Sequence, residues 1–368
     1  MQFIDIQAQY ARYREAIDSR IRRVLDEGRF IMGPEVGELE QALAAYVGGG
    51  HCLSVSSGTA ALEIALRALD IGSDDEVITV PFTWISSAEV ISLVGATPVF
   101  VDILPQDFNL NPQLVEAAIT ERTKAIIAVN LFGQMANYQA LNEIAEKHDL
   151  TVIEDAAQSF GATQKAAGGS TVKSGRATRV GCTSFFPAKP LGCFGDGGAI
   201  FTNDGELNEK MRAIRTHGGV KRHEHHYVGT NGRMDTLQAA VVLAKLPFFD
   251  EEVAAREAVA ERYRIGLSEV CGVPQVVTGN THVYAQYTLR LEERDSVQGY
   301  FKEQGVPCGV YYPKCLHEQP VFSHCRGRFG DFPESERASR QVLSLPMHPF
   351  LSEADQDKVI ATVKGGLA

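Results

Sequence analysis

Several features that would direct this chain to a membrane or to nucleic acid are missing. No uninterrupted apolar stretch reaches the length of about eighteen residues at which a helix can cross a bilayer. The N-terminus, Met-Gln-Phe-Ile-Asp-Ile-Gln, has neither the basic region nor the apolar region of a signal peptide. Because the net charge is -11, the chain also lacks the excess of basic side chains that nucleic acids and anionic lipids require. We therefore expect a cytoplasmic protein with no membrane partner and no nucleic-acid partner.

Motifs for disulfides, metal ions and nucleotides are missing as well. The seven cysteines, an odd number, lie between Cys52 and Cys325 without a CxxC pair, so they predict neither a disulfide framework nor a zinc site. The cluster His223-Glu-His-His226 lacks the i, i+4 histidine pair of a zinc-binding helix, and we predict no metal. No Walker sequence and no complete GxGxxG follows a predicted strand, which argues against nucleotide hydrolysis and dinucleotide binding.

The hydrophobic pattern predicts an α/β protein. A chain of 368 residues is longer than one hydrophobic core usually supports. We therefore predict a large domain at 1–250, which includes the N-terminal helices, and a small C-terminal domain at 251–368, which includes a linking helix. Predicted strands at 52–55, 76–80, 97–101, 125–129 and 151–153 alternate with helices, which indicates a parallel sheet covered by helices. Further strands are predicted at 281–291 and 308–312, and an exposed loop at 164–178.

A single lysine stands between an aromatic patch and a glycine-rich turn in the segment Thr183-Ser-Phe-Phe-Pro-Ala-Lys189-Pro-Leu-Gly-Cys-Phe-Gly-Asp-Gly-Gly198. The apolar neighbours at 185–187 would exclude water from the Lys189 ammonium and lower its pKa, which prepares a lysine to attack a carbonyl group. Ser184 offers a hydroxyl to an anion. The alternative is a lysine on an ordinary surface loop.

Three other predicted strands end in polar or aromatic residues, at the edge of the sheet where ligands collect in α/β proteins. After 52–55, the segment Ser56-Ser-Gly-Thr-Ala60 opens a helix whose N–H groups suit a phosphate, or it forms an ordinary N-cap. After 76–80 comes the only tryptophan, Trp84, which either stacks on a flat heterocycle or packs in the core. After 151–153, Asp155 either pairs with a cation such as a pyridinium nitrogen or caps a helix.

Together, these four groups match the contacts that pyridoxal phosphate (PLP) requires. They supply a phosphate cradle, a stacking ring, a carboxylate for the ring nitrogen and an amine for the aldehyde, in that chain order. We therefore predict a PLP site.

The same residues resemble the DegT/DnrJ/EryC1/StrS family of nucleotide-sugar aminotransferases. The resemblance covers essentially the whole chain and is carried by Ser57-Gly-Thr-Ala60, Glu154-Asp-Ala-Ala-Gln158, Ser184-Phe-Phe-Pro-Ala-Lys189 and Gly195-Asp-Gly-Gly198. It implies fold type I of the PLP-dependent transferases, with a mostly parallel central sheet flanked by helices and a smaller C-terminal α/β domain. It also implies a homodimer in which each active site is completed by the other subunit.

The resemblance further assigns roles to single residues. Lys189 would form the covalent bond to PLP, and Asp155 would pair with the pyridine nitrogen. The other residues that would bind the cofactor are Gly58, Thr59, Ala60, Trp84, Gln158, Ser184 and Asn231, the last by reaching the phosphate in the partner subunit. Dehydratase relatives carry histidine at the lysine position, so Lys189 favours transamination. Thr230 and Gly232 differ from the aromatic residues that usually flank this asparagine.

Two segments, 182–193 and Val310-Tyr-Tyr-Pro-Lys-Cys-Leu-His317, are similar to enzymes that aminate C3 of UDP-linked 3-keto uronic acids. This similarity implies a UDP-2-acetamido-2-deoxy-3-keto-hexuronic acid as substrate, L-glutamate as amino donor, a cofactor that alternates between PLP and pyridoxamine phosphate (PMP), and a role in amino-sugar (lipopolysaccharide/O-antigen) biosynthesis. Arg233 would pair with the sugar carboxylate, or alternatively it would have a structural role, in a salt bridge to Asp235 or at a helix terminus. Tyr311, Tyr312 and His317 would line the sugar pocket.

Two other functions stay open at this point. One is amination of C4 or C3 in a dTDP-linked or UDP-linked keto-6-deoxy sugar. The other is a catalytically silent PLP-binding sensor, for which we would expect an effector domain, and none is visible in the sequence.

Overall fold

The structure, a computed structural model, describes residues 1–166 and 168–368. Its described strands are β1 His51–Val55, β2 Glu76–Thr79, β3 Thr97–Phe100, β4 Thr123–Val129, β5 Thr151–Asp155, β6 Thr163–Lys165, β7 Thr171–Lys173, β8 Val180–Ser184, β9 Gly198–Thr202, β10 Gly219–Lys221, β11 Glu224–His225, β12 Tyr287–Arg290 and β13 Val342–Leu345.

A seven-stranded sheet with the order β1-β9-β8-β5-β4-β2-β3 forms the centre of the molecule. Neighbouring strands from β8 to β3 are parallel, whereas β9 runs antiparallel to both β1 and β8. Every residue of β2 and of β9 is buried, as expected for strands covered on both faces. The carboxyl ends of β1, β2, β4, β5 and β8 therefore lie along one edge of the sheet.

Helices cover this sheet on both faces and continue beyond it. The described α-helices are α1 Ile6–Glu27, α2 Pro34–Tyr46, α3 Gly58–Ala68, α4 Ser86–Leu93, α5 Pro112–Ala118, α6 Tyr138–His148, α7 Gly205–Arg215, α8 Thr236–Lys245, α9 Phe249–Leu267, α10 Arg294–Glu303, α11 Pro333–Gln341 and α12 Glu353–Leu367. Helices α3 and α7 share a core with Ile153 and Ile200, and α1, α2 and α8 share another with Phe185 and Phe201. None of the helices in the described part of the chain is long and apolar enough to cross a membrane.

A second, smaller sheet lies towards the C-terminus. Strands β12 and β13 pair antiparallel and share a core with α9, α10 and α12. The intervening residues Leu316, Phe322 and Phe332 pack instead against Ala88 and Phe100 of the large-sheet region. The division of the chain at 250/251 into two domains stays a prediction.

Most predicted elements agree with the structure to within a few residues, but some do not. The segment 164–178, predicted as a loop, contains most of a β6–β7 hairpin, although residue 167 lies outside the described residues. This hairpin is held by distant residues, because Thr281 Oγ1 accepts a hydrogen bond from Thr163 N and Gly279 O accepts one from Lys165 N. The strand predicted at 308–312 is wrong, since this segment forms a single bridge, from Gly309 to β13. The strand predicted at 281–291 is limited to β12, and the sequence pattern predicts neither strand β13 nor helix α11.

One carboxylate connects α11 to the large sheet. Asp102, which follows β3, is buried and accepts hydrogen bonds from Glu334 N at 2.9 Å, Ser335 N at 2.9 Å and Ser335 Oγ at 2.5 Å. These N–H groups lie in the first turn of α11, where a helix has no internal partners for them. A residue that is distant in sequence therefore acts as the helix cap.

Replacing Asp102 with Ala should lower the free energy of unfolding by about 2 kcal/mol, because two backbone donors in a buried helix start lose their acceptor. Asp102→Asn, which keeps one acceptor oxygen, should lose less. Urea denaturation followed by circular dichroism measures both variants. Asp5→Ala, which removes a cap formed within α1 alone, is the matched control. An unfolding midpoint of Asp102→Ala equal to that of the native protein would contradict this account of α11.

Candidate active site

The four residue groups singled out in the sequence meet at one edge of the large sheet. Segments 56–60 and 81–84 follow the carboxyl ends of β1 and β2, and segments 155–158 and 184–189 begin at the last residues of β5 and β8. Because β1, β2, β5 and β8 point the same way, these segments lie side by side. This edge is where ligands bind in open α/β sheets.

Lys189 lies in a closed loop that follows β8. The Cys193 N–H donates to Phe185 O at 2.7 Å and closes the loop at its base, and the Lys189 N–H donates to Phe186 O at 2.8 Å. The side chain of Lys189 is partly buried. Burial lowers its pKa below the usual range for lysine, and the negative charge of Asp155 opposes this shift only in part. The amine is therefore more nucleophilic at neutral pH than that of a surface lysine.

Asp155, the last residue of β5, is a buried carboxylate. One oxygen accepts from Ser87 Oγ at 2.9 Å and the other from Ala157 N at 3.1 Å. Burial raises its pKa, while these two hydrogen bonds and the charge of Lys189 lower it. No ion-pair partner of Asp155 occurs in the described parts of the chain. A buried carboxylate of this kind is suited to a ligand that brings its own positive charge.

The N-terminus of α3 forms a cradle against the end of β8. A Cβ atom added to Gly58 would lie 2.8 Å from Ser184 Cβ and 3.4 Å from Ser184 Oγ, so only glycine allows this close approach. Ser57 Oγ caps the helix by accepting from Ala60 N at 3.0 Å, and Thr59 Oγ1 lies 2.8 Å from Ser86 Oγ. The cradle combines hydroxyl groups with the positive end of a helix, which suits a phosphate.

Gln158 and Trp84 both lie next to Tyr312. Gln158 Oε1 accepts from Phe132 N at 2.8 Å, and its Nε2 donates to the Tyr312 hydroxyl at 3.3 Å. The ring centroid of Trp84 is 6.1 Å from that of Tyr312. Trp84 is 58% exposed, which excludes the core position that was the alternative for this residue. Its ring is free to cover a flat ligand.

Asn231 and Arg233 lie on the segment that leads into α8, beside the start of α3. Gly232 between them accepts a hydrogen bond from Ser56 N at 2.8 Å. Asn231 is exposed, whereas Arg233 is half-buried and its Nε atom is buried with no hydrogen-bond partner in the described residues. Among those residues Arg233 forms no ion pair with Asp235, so its guanidinium is available to an anionic ligand.

The remaining predicted sugar contacts differ in their surroundings. Tyr311 is half-buried, and its ring centroid is 6.0 Å from that of Phe3. His317 is buried, with Nε2 at 3.2 Å from Glu336 Oε1 and its ring 4.7 Å from that of Phe332. A contact between His317 and a sugar therefore stays a prediction, and it would require this side chain to leave its present neighbours.

Ser86 and Ser87, which contact Thr59 and Asp155, were not predicted as site residues. Both lie in the first turn of α4, within three residues of Trp84. The only signal in the sequence was a pair of hydroxyl side chains at a helix start that follows a strand end.

Comparisons with known proteins identify the family of this chain. The profile of the DegT/DnrJ/EryC1/StrS aminotransferase family matches residues 12–364. The chain is 51% identical over 355 residues, 96% of its length and 97% of the relative's, to UDP-2-acetamido-2-deoxy-3-oxo-D-glucuronate aminotransferase from Pseudomonas aeruginosa.

Two solved structures are similar to this chain over nearly its whole length. A DegT DnrJ EryC1 StrS aminotransferase from Brucella abortus has a TM-score of 0.96 and 44% identity, covering 99% of both chains. NtdA from Bacillus subtilis with bound cofactor PMP has a TM-score of 0.88 and 30% identity, covering 96% of this chain and 82% of the other. The fold-type-I architecture is confirmed, and the chain belongs to the DegT/DnrJ/EryC1/StrS aminotransferase family.

Proposed function

We propose that this aminotransferase uses PLP to move the amino group of L-glutamate to C3 of a UDP-linked 2-acetamido-2-deoxy-3-keto-hexuronic acid, as a step in amino-sugar biosynthesis. The observation that carries the proposal is that Lys189, an amine of lowered pKa, and Asp155, a buried carboxylate that forms no ion-pair contact in the described residues, lie at one edge of the sheet and interact through their charges. The relative from Pseudomonas aeruginosa supports the choice of sugar.

The residues at the sheet edge fit PLP. The cradle formed by Gly58 and Ser184, which a Cβ atom would fill, suits the phosphate, and the exposed ring of Trp84 suits the pyridine face. Lys189 would hold the aldehyde and Asp155 the protonated ring nitrogen. When bound, the cofactor supplies an aldehyde that bonds to amines and a ring that accepts the electrons of the adjacent carbon.

Lys189 has a second task once an amino donor occupies the site. Its Nζ would remove the proton from Cα of the donor and, in the reverse half-reaction, deliver a proton to C3 of the sugar. The lowered pKa supports this role, because a larger fraction of the amine is neutral near pH 7 than in an exposed lysine. Asp155 must stay ionised throughout, and Ser87 and the Ala157 N–H support that state by donating to it.

Arg233 supports a uronic acid as substrate. Its guanidinium is half-buried at the site and has no ion-pair partner in the described part of the chain. A guanidinium binds a carboxylate through two parallel hydrogen bonds, which a 6-deoxy sugar cannot form.

An apolar surface beside the site supports a homodimer. Phe30, Ile31 and Met32 are adjacent and exposed, and Ile31 forms a β-bridge with Asp235, close to Arg233. Met32 also lies at a groove of about 920 Å³ whose other lining residues, mainly from α7, are mostly charged or polar. Exposed apolar patches of this kind mark interfaces. We propose that a second copy covers this surface and that Asn231 reaches the site of that copy.

The two rival functions have less support. A silent PLP sensor has less support because the relative from Pseudomonas aeruginosa and the structure from Brucella abortus are both named as aminotransferases. Amination of a keto-6-deoxy sugar would use the same lysine and carboxylate, but it would leave Arg233 without a partner.

Borohydride treatment of the protein prepared with PLP should attach the reduced cofactor covalently to Lys189. Peptide mass spectrometry locates the adduct. Lys189→Arg keeps the positive charge but should give no adduct and no measurable transfer from L-glutamate, because a guanidinium does not add to an aldehyde. An adduct on another lysine of the native protein would refute the assignment.

Arg233→Ala should reduce kcat/KM for the UDP-linked 3-keto uronic acid about 30-fold to 5,000-fold, which corresponds to a loss of about 2–5 kcal/mol of transition-state stabilisation. A keto-6-deoxy sugar should be affected little. Arg262→Ala, which removes a surface arginine paired with Asp357, serves as the control. Similar losses on both sugars would remove the case for a uronic acid.

Mixing two inactive variants tests the shared site. Lys189→Ala and Asn231→Ala, unfolded and refolded together in equal amounts, should regain roughly a quarter of native activity, because half of the dimers are mixed and each has one intact site. Each variant refolded alone is the control. If Asn231 serves its own subunit, the mixture stays inactive.

A further inference from the structure

A buried lysine outside the predicted site contacts the loop that carries Lys189. Lys245, the last residue of α8, is 2% exposed, and its Nζ donates to Gly192 O at 2.7 Å. The same ammonium lies 4.6 Å from the ring centroid of Phe194. Lysine is rarely buried to this extent unless it is paired, so this contact calls for an explanation.

The hydrogen bond from Lys245 reaches the loop at Gly192, the point at which the two arms of the loop are in contact. A Cβ atom added to Gly192 would lie 2.6 Å from Pro187 O and 2.8 Å from Phe186 O, so the two arms of the loop touch at this point. The Phe186 carbonyl also accepts the N–H of Lys189. A shift of Gly192 would therefore move the backbone that orients Lys189.

Helix α8 forms hydrogen bonds at two points with the second arm of the loop, residues 192–194. Gln238 Oε1, near the start of the helix, accepts from Phe194 N at 2.9 Å, and Lys245, at the other end, donates to Gly192. The helix is itself fixed, since it shares a core with α1 and α2. Of the two contacts, the one from Lys245 is charge-assisted and thus the stronger.

We propose that Lys245 is a positioning residue, which fixes the Lys189 loop in its reactive shape by holding the Gly192 carbonyl. Burial lowers the pKa of Lys245 to about 8, while Glu252 and Cys193 act to raise it. The ammonium form, which makes the stronger hydrogen bond, is therefore still the major form at pH 7. The reaction that this positioning serves is the proposed function above, but the effect on the loop does not depend on it.

The test is amide hydrogen exchange of the full-length protein, read at residues 186–194. Lys245→Met removes the donor at similar side-chain length and should speed exchange of the Lys189 and Cys193 amides by about tenfold or more, as expected for the loss of a charge-assisted hydrogen bond. Lys245→Arg, which keeps charge and donors, should retain slow exchange. The matched control is Lys173→Met, which removes a lysine that lies over the ring of Tyr46 outside this loop, and it should leave exchange at 186–194 unchanged.

Steady-state kinetics add a second measurement. In Lys245→Met, kcat should fall about tenfold while KM for the keto sugar changes less than about twofold, because only the reacting amine is displaced. A lysine that merely stabilises the fold would lower the melting temperature without changing exchange in the loop or kcat.

Unchanged exchange at Lys189 and Cys193 in Lys245→Met overturns the proposal. If that variant does not fold, exchange of the same two amides is measured in Lys245→Gln, whose side chain is too short to reach Gly192. Unchanged exchange there overturns the proposal as well. A native protein without transaminase activity would refute the proposed function and leave the exchange result standing, so the two failures are distinguishable.

Discussion

The site depends on keeping one carboxylate ionised in a place where water cannot solvate it. Burial of Asp155 favours the protonated acid, and the Ser87 hydroxyl and one backbone N–H offset this only in part. The positive charge that makes the anion favourable comes from Lys189 and from the ring nitrogen of the proposed cofactor. The same burial lowers the pKa of Lys189. Exclusion of water therefore makes the amine of Lys189 more nucleophilic and also leaves the carboxylate of Asp155 in need of a positively charged partner.

Much of the fold and the centre of the site could be predicted from the sequence, because both depend on local patterns. Alternation of short apolar strands with helices indicates a parallel sheet, and in such a sheet ligands bind beyond the carboxyl ends of the strands. Asp155 and Lys189 can therefore be assigned to one edge from the sequence alone. The two end up coupled through their charges.

The parts that could not be predicted depend on contacts between distant segments. Nothing near Asp102 in the sequence indicates that it caps a helix at Glu334, and nothing near Lys245 points to Gly192. The sequence likewise predicts a loop where the β6–β7 hairpin lies, because the hydrogen bonds that hold β6 in place come in part from the distant segment 279–281. Such contacts satisfy buried polar groups, and their partners are set by packing rather than by periodicity.

The residues proposed to bind the cofactor and those proposed to bind the sugar lie on different kinds of structural element. Asp155 and Ser184 end strands of the large sheet, whereas Arg233 and Tyr311 lie on connecting segments outside any described helix or strand. Substitutions in such segments leave the sheet and its hydrogen-bond ladder intact. Evolution can therefore exchange one sugar for another by changing a few loop positions, while the chemical step is inherited unchanged.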